Sequence, residues 1–87
     1  MGRRRGEIEK WLRRIKWGGN SGNYVVYIRH RIVDGSEILR SIRGDEIDDV
    51  RRGYIFVGDE QIPLHRVEEI RDIEGNVLYK RRSRKQL

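Results

Sequence analysis

Residues 24–43 read YVVYIRHRIVDGSEILRSIR, two runs rich in Ile, Val and Tyr on either side of the segment DGS at 34–36. Runs of this composition around a turn signal predict a β-hairpin. A three-residue turn at 34–36 pairs Ile28 with Ile42, so apolar residues gather on one face of the hairpin. A two-residue turn would slip the register by one residue and mix the two faces. We therefore predict the three-residue turn.

The predicted hairpin has one apolar face and one basic face. The apolar face holds Val26, Ile28, Ile32, Ile38 and Ile42, with His30 opposite Arg40. The basic face holds Tyr27, Arg29, Arg31, Ser41 and Arg43. An aromatic ring among arginines can stack bases and hold phosphates. A solvated sheet face with ordinary cross-strand pairs has the same composition, so both interpretations remain open.

The rest of the chain supplies a helix and further strands. Ile8, Trp11, Leu12 and Ile15 follow the i, i+3, i+4, i+7 spacing of an amphipathic helix, which we predict over residues 6–16. Strand composition between turn signals predicts the strands 24–33, 37–43, 51–58, 62–72 and 77–81. The predicted fold class is α+β, with one N-terminal amphipathic helix packed on a strongly bent, mainly antiparallel five-stranded sheet, or on a partly closed small barrel.

Length and composition exclude several classes of protein. The 87 residues form one domain with a thin core. The absence of cysteine excludes a disulfide framework and any thiolate metal site. Because no apolar run reaches about 18 residues, we expect no membrane span, and the basic start lacks a signal-peptide pattern. We expect a soluble cytoplasmic protein. The charged fraction of 39% is typical of hyperthermophile proteins.

The net charge of +6 comes from the two ends of the chain. Residues 6–79 hold 12 basic and all 14 acidic residues, so the excess of positive charge lies outside them. We assign residues 1–5 and 81–87 to basic tails and residues 6–80 to a single RNA-binding-like domain. Such tails raise affinity for any phosphate backbone, although solvation alone also accounts for them.

The segment 61–72, QIPLHRVEEIRD, places His65 and Arg66 within an apolar alternation. Successive strand residues point to opposite faces, so the two side chains share one site only if the strand is interrupted. Pro63 makes an interruption plausible because proline is confined to strand entries and edges. Arginine matches phosphate oxygens, and a histidine beside it can donate to phosphate or stack on a base. Alternatively, His65 fills a core gap while Arg66 pairs with Glu68.

The segment IPLHRV at 62–67, followed by VLYK at 77–80, resembles the C-terminal signature of the RNA cyclic group end recognition domain family of small, mostly archaeal proteins. The helix end IKW at 15–17 and the segments YVVYIRHR and IRGDEI are also similar to archaeal members. The resemblance covers roughly residues 8–80. The chain departs from the family pattern at Leu64, where an aromatic residue is frequent, and in its glycine-rich connector GGNSGN.

The resemblance implies a non-catalytic module that recognises RNA ends, including 2′,3′-cyclic phosphates, in RNA processing or repair. Relatives are fused to RNA-processing enzymes, which implies RNA and an RNA-processing enzyme as partners. Trp17, His65 and Arg66 match the family motif, and Arg29 and His30 match it more loosely. With the basic hairpin face, the candidate RNA-binding residues are Tyr27, Arg29, His30, Arg31, Arg43, His65, Arg66 and Trp17.

Two other classes of function remain as alternatives. His30 and His65 would be the acid/base pair of a phosphodiesterase. Two-histidine phosphoesterases, however, carry a hydroxyl residue two positions after each histidine, and these positions hold Ile32 and Val67. A protein-interaction module would instead use the acidic segment 45–49 and an exposed sheet edge. The residues match no common metal-ligand spacing and no nucleotide-binding loop, so we expect no catalytic residues, metal or cofactor.

Overall fold

A computed structural model describes residues 3–81, with side chains from residue 6. The chain begins with helix α1, Arg3–Trp17. Seven strands follow: β1 Tyr24–Arg31, β2 Glu37–Arg43, β3 Asp49–Arg51, β4 Tyr54–Val57, β5 Glu60–Pro63, β6 Val67–Asp72 and β7 Val77–Lys80. Short 3-10 turns occupy Ser21–Asn23, Gly44–Glu46 and Leu64–Arg66.

The strands form two antiparallel sheets, one of four strands in the order β2-β1-β6-β7 and one of three in the order β3-β4-β5. One N-terminal helix with mainly antiparallel strands confirms the predicted α+β class. The prediction of five strands in one bent sheet was wrong. Within residues 3–81 the seven strands build two sheets and no closed barrel.

Two of the five predicted strands are each divided by a local backbone constraint. Within the predicted strand 51–58, Arg52 and Gly53 adopt φ of 51° and 81°. Two successive residues at positive φ are the signature of a tight two-residue hairpin turn, here between β3 and β4. The predicted strand 62–72 is divided after Pro63 by the Leu64–Arg66 turn, so its halves lie in different sheets.

The β1–β2 hairpin differs from its predicted register by two residues. Val26, rather than Ile28, lies opposite Ile42, and Arg31 lies opposite Glu37. Strand β1 ends before its predicted end because residues 32–36 close a loop, in which the Ile32 amide donates to the Ser36 carbonyl at 2.9 Å. A shift of two keeps every side chain on its predicted face.

The core lies between helix α1 and the inner faces of both sheets. The predicted helix stripe is buried, with Trp11 at the edge of the cluster. The buried apolar side chains are Ile8, Leu12, Ile15, Val26, Ile28, Ile42, Ile47, Val50, Ile55, Ile62, Leu64, Val67, Ile70 and Tyr79. Because Leu64 is only 2% exposed, it serves the core and offers no surface for base stacking.

The predicted tails are only partly described. Helix α1 begins at Arg3, so its backbone includes three residues that we assigned to the N-terminal tail. The assignment of residues 82–87 to a basic tail lies outside the described residues. None of the helices in the described part of the chain has the length and apolar character needed to cross a membrane.

We expect Gly44→Ala to lower the free energy of unfolding by about 1–3 kcal/mol, the cost of overpacking a well-filled site. A Cβ at Gly44 would lie 2.3 Å from the Ser21 carbonyl oxygen and 2.7 Å from Ile15 Cγ2. Denaturant unfolding measures this change.

Gly6→Ala is the matched control, since no atom lies within 4 Å of a Cβ at this exposed helical position. It should raise stability by about 0.5–1 kcal/mol through helix propensity. Equal effects of the two substitutions would contradict the tight contact at Gly44.

Candidate nucleic-acid interface

The Leu64–Arg66 turn is held in place through the backbone of His65. The His65 carbonyl oxygen accepts a hydrogen bond from Arg29 Nη2 at 3.1 Å and another from Arg81 Nη2 at 2.8 Å. Glu68 forms an ion pair with Arg29 and lies 3.9 Å from Arg81 Nε. The turn therefore has two guanidinium groups against its carbonyl and one carboxylate that balances part of their charge.

The turn presents His65 and Arg66 in different ways. The His65 side chain is exposed, so it fills no core gap. The Arg66 side chain is half-buried, and its Nη1 donates to the Arg29 carbonyl oxygen at 3.4 Å. Glu68, the partner considered for Arg66 from sequence, pairs with Arg29 instead. Among residues 3–81, Arg66 has no carboxylate partner.

Arg66 lines an open cleft of about 330 Å³ between the two sheets. We call it the inter-sheet cleft, and its charged and imidazole-bearing lining residues are Arg29, His30, Arg31, Arg40, Glu60 and Arg66. Three of the residues come from β1, where Arg31 is the last residue of the strand. Three of the four arginines have a carboxylate partner, in Glu68, Glu37 and Glu60, so Arg66 accounts for the positive balance of the lining.

Glu60 and Arg40 bridge the two sheets at this cleft. The Arg40 guanidinium donates to both Glu60 oxygens, with Nη1–Oε2 at 2.9 Å and Nη2–Oε1 at 2.7 Å. These hydrogen bonds are the main reason that the pKa of Glu60 lies below its ordinary value of 4.5. They are also the main reason that the pKa of Arg40 is raised. His30 also lowers the pKa of Glu60 through its charge. The bridge links β2 of the larger sheet to β5 of the smaller one.

The basic face predicted for the hairpin carries interleaved acids. Arg29 pairs with Glu68, Arg31 with Glu37 at 3.3 Å, and Arg43 with Asp45 at 3.2 Å. Each arginine on this face therefore has a carboxylate partner, a property that the sequence of the two strands alone did not indicate. The face has less free positive charge than predicted.

The two candidate aromatic residues already have cationic neighbours. The Arg71 guanidinium lies over the Tyr27 ring, 5.4 Å from its centroid, and Arg13 lies 5.8 Å from the centroid of Trp17. Trp17 ends helix α1 and is 56% exposed, so a large part of its ring remains accessible. Neither aromatic residue lines the inter-sheet cleft.

Four of the eight candidate residues line the inter-sheet cleft, but the side chains of Arg29 and Arg31 point to the face of β1 opposite that of His30. Arg29, His30, Arg31 and Arg66 line the inter-sheet cleft, whereas Tyr27, Arg43, Trp17 and the exposed His65 are not among its lining residues. Their roles as RNA contacts stay predictions. Within the described residues, no group of three His, Asp or Glu side chains is placed to hold a metal ion.

Sequence reasoning missed two arginines that belong to this region. The predicted hairpin places Arg40 only opposite His30, and the predicted C-terminal tail includes Arg81. Their partners lie 20 and 16 residues away in sequence, at Glu60 and His65. No local pattern marks such pairs, so only the fold reveals them.

A family model described as the MJ1316 RNA cyclic group end recognition domain matches residues 5–81. A UPF0248 protein of Aeropyrum pernix is 34% identical over 84 residues, covering 93% of this chain and 84% of the relative. A UPF0248 protein of Thermococcus gammatolerans is 32% identical over 85 residues, covering 95% of this chain and 99% of the relative. The UPF0248 protein MK0350 of Methanopyrus kandleri is 41% identical over 58 residues, covering 67% of this chain and 74% of the relative. No solved structure matches the chain.

We expect acid to weaken the Arg40–Glu60 bridge in a defined direction. Because the folded-state pKa of Glu60 is lowered, its stabilising contribution is present above pH 4.5 and is lost as the pH falls through the lowered value. Thermal unfolding of Glu60→Gln should therefore change less than that of the wild type when the pH is lowered below 4.5.

Asp59→Asn is the matched control, since Asp59 is an exposed neighbour that forms no ion pair among residues 3–81. Its acid dependence should follow the wild type. If the Glu60→Gln variant also follows the wild type, the bridge contributes nothing to stability.

Proposed function

Because the chain belongs to the MJ1316 RNA cyclic group end recognition domain family, we propose that it is a non-catalytic RNA-binding module that recognises RNA ends. We further propose that it acts in cytoplasmic RNA processing or repair, alone or docked on an RNA-processing enzyme, and that a 2′,3′-cyclic phosphate is the end it prefers. The inter-sheet cleft is the proposed binding site.

The observation that carries this proposal is the state of Arg66. Arg66 is half-buried and lines the inter-sheet cleft, and its guanidinium has no carboxylate partner among residues 3–81. The other three arginines of the cleft each have one, in Glu68, Glu37 and Glu60. A rigid fork of donors without a counter-ion is suited to phosphate oxygens, which accept two of its hydrogen bonds in parallel.

The neighbours of Arg66 favour a chain end over a continuous strand. The Arg40–Glu60 bridge forms part of the cleft lining, and it occupies both oxygens of the carboxylate. His30 lies in the same cleft and can donate to a phosphate or ribose oxygen. A terminal phosphate with its ribose suits a cleft of about 330 Å³ better than a continuous strand, which would need a longer groove.

The arrangement of the two histidines supports a binding role over a catalytic one. General acid/base cleavage of a phosphodiester requires both groups within hydrogen-bond reach of the reacting atoms. His30 lines the cleft, whereas His65 is exposed on the Leu64–Arg66 turn and is not among the lining residues. We therefore expect RNA with a 2′,3′-cyclic phosphate to be bound without turnover.

We expect Arg66→Ala to weaken binding of an RNA oligomer that ends in a 2′,3′-cyclic phosphate by roughly 10–100-fold, since hydrogen bonds to charged groups contribute about 1.5–3 kcal/mol. Arg66→Lys keeps the charge but loses the fork, so an intermediate loss is expected. Fluorescence anisotropy titration at fixed salt measures these affinities.

Lys10→Ala removes one positive charge from an exposed position on helix α1 and is the control for general electrostatics. Its affinity should stay within about threefold of the wild type, the size of a single exposed charge effect. Equal wild-type affinity for cyclic-phosphate and hydroxyl ends would remove the claim of end recognition. Unchanged binding by Arg66→Ala would exclude the cleft as the site.

A further inference from the structure

Strand β2 forms one edge of the four-stranded sheet. In the part of the chain that the structure describes, it pairs only with β1, over residues 37–43. Half of its backbone N–H and C=O groups therefore point away from the sheet. An edge strand with such unpaired groups is a template for pairing with another strand.

The same edge exposes apolar side chains on both faces of the sheet. Ile38 is 49% exposed and Leu39 is 58% exposed, although they point to opposite faces. The neighbouring loop adds Ile32 and the fully exposed Val33. Contact with another strand would remove apolar surface from water on both faces, which favours association.

The sequence of β2 is complementary to itself when two copies run antiparallel. We call the line of contact between the two β2 strands the seam. If the two sheets join there into one sheet, residues opposite each other across the seam must lie on the same face. The register can therefore change only in steps of two residues. Pairing centred on Arg40 places Glu37 opposite Arg43 of the second copy, Ile38 opposite Ile42 and Leu39 opposite Ser41. Twofold symmetry repeats each of these pairs, so two opposite-charge pairs form.

The contacts within each copy fit this register. Glu37 already pairs with Arg31, and Arg43 with Asp45, so the seam would join them into an alternating row of charges. The two Arg40 residues meet at the symmetry axis, but each is neutralised by its own Glu60. A register shifted by two residues, centred on Leu39, puts Ile38 opposite Arg40 and loses both charge pairs.

We propose that a second copy of this chain docks on β2, with the two strands antiparallel and centred on Arg40. Two four-stranded sheets then become one continuous sheet. Because Arg40 also lines the inter-sheet cleft, the two clefts open on the same face beside the symmetry axis. This association needs no RNA, so it stands or falls independently of the proposed function.

Reversal of the charges at the seam tests the proposal. Light scattering of the RNA-free protein should give twice the monomer mass of 10.4 kDa. Glu37→Arg and Arg43→Glu should each raise the dimer dissociation constant by about tenfold or more, because each reversal creates two like-charge pairs. The double variant Glu37→Arg/Arg43→Glu should restore the dimer. Circular dichroism of each variant confirms that the monomer fold is intact.

Cysteine cross-linking gives a second measurement, which is free of background because the chain has no cysteine. A mixture of Leu39→Cys and Ser41→Cys proteins should form the mixed disulfide in excess over either homodimer, since these positions face each other in the proposed register. A monomer at millimolar concentration overturns the proposal. The proposal is also overturned if the dimer dissociation constant is unchanged in Glu37→Arg and Arg43→Glu, or if the double variant does not restore the dimer.

Discussion

The carbonyl oxygen of His65 is the contact that fixes the turn between the two sheets to the larger sheet. The chain leaves the smaller sheet at Pro63 and enters the larger one at Val67, and this carbonyl lies between them. Two guanidinium groups, from Arg29 of the central strand β1 and from Arg81 after β7, donate to it. A carbonyl has two lone pairs and can accept both, and the charge on the donors strengthens the bonds. The turn is thereby fixed to two different strands of the larger sheet.

The fixed turn also decides which arginine is available to a ligand. Arg29 and Arg81 are occupied by the carbonyl and by Glu68, so their charge serves the fold. Arg66, one residue further along, is left in the inter-sheet cleft without a counter-ion among residues 3–81. The other three arginines of the cleft each have a carboxylate partner, so the free positive charge of the cleft is that of Arg66. The distribution of partners, more than the net charge, defines the candidate site.

The sequence was sufficient for those features that depend on local periodicity. The helix stripe of Ile8, Leu12 and Ile15 and the faces of the β1–β2 hairpin follow from spacing alone, because burial selects one face. The division of the strands was harder to predict. Positive φ at Arg52 is uncommon for a residue with a side chain. Pro63 is compatible both with one continuous strand at a sheet edge and with two strands in different sheets. Pairing of Arg40 with Glu60 and of Arg81 with His65 is a product of tertiary contact, so the local sequence carries no signal for it.

The Arg40–Glu60 bridge makes one contact of the cleft lining responsive to dissolved salt. Counter-ions screen the attraction between arginine and phosphate, and for a rigid site the logarithm of affinity falls linearly with the logarithm of salt concentration. Here the same ions also weaken an exposed ion pair that spans the two sheets. Ionic strength therefore acts on two ion pairs of the cleft at once, the one formed with phosphate and the bridge beside it.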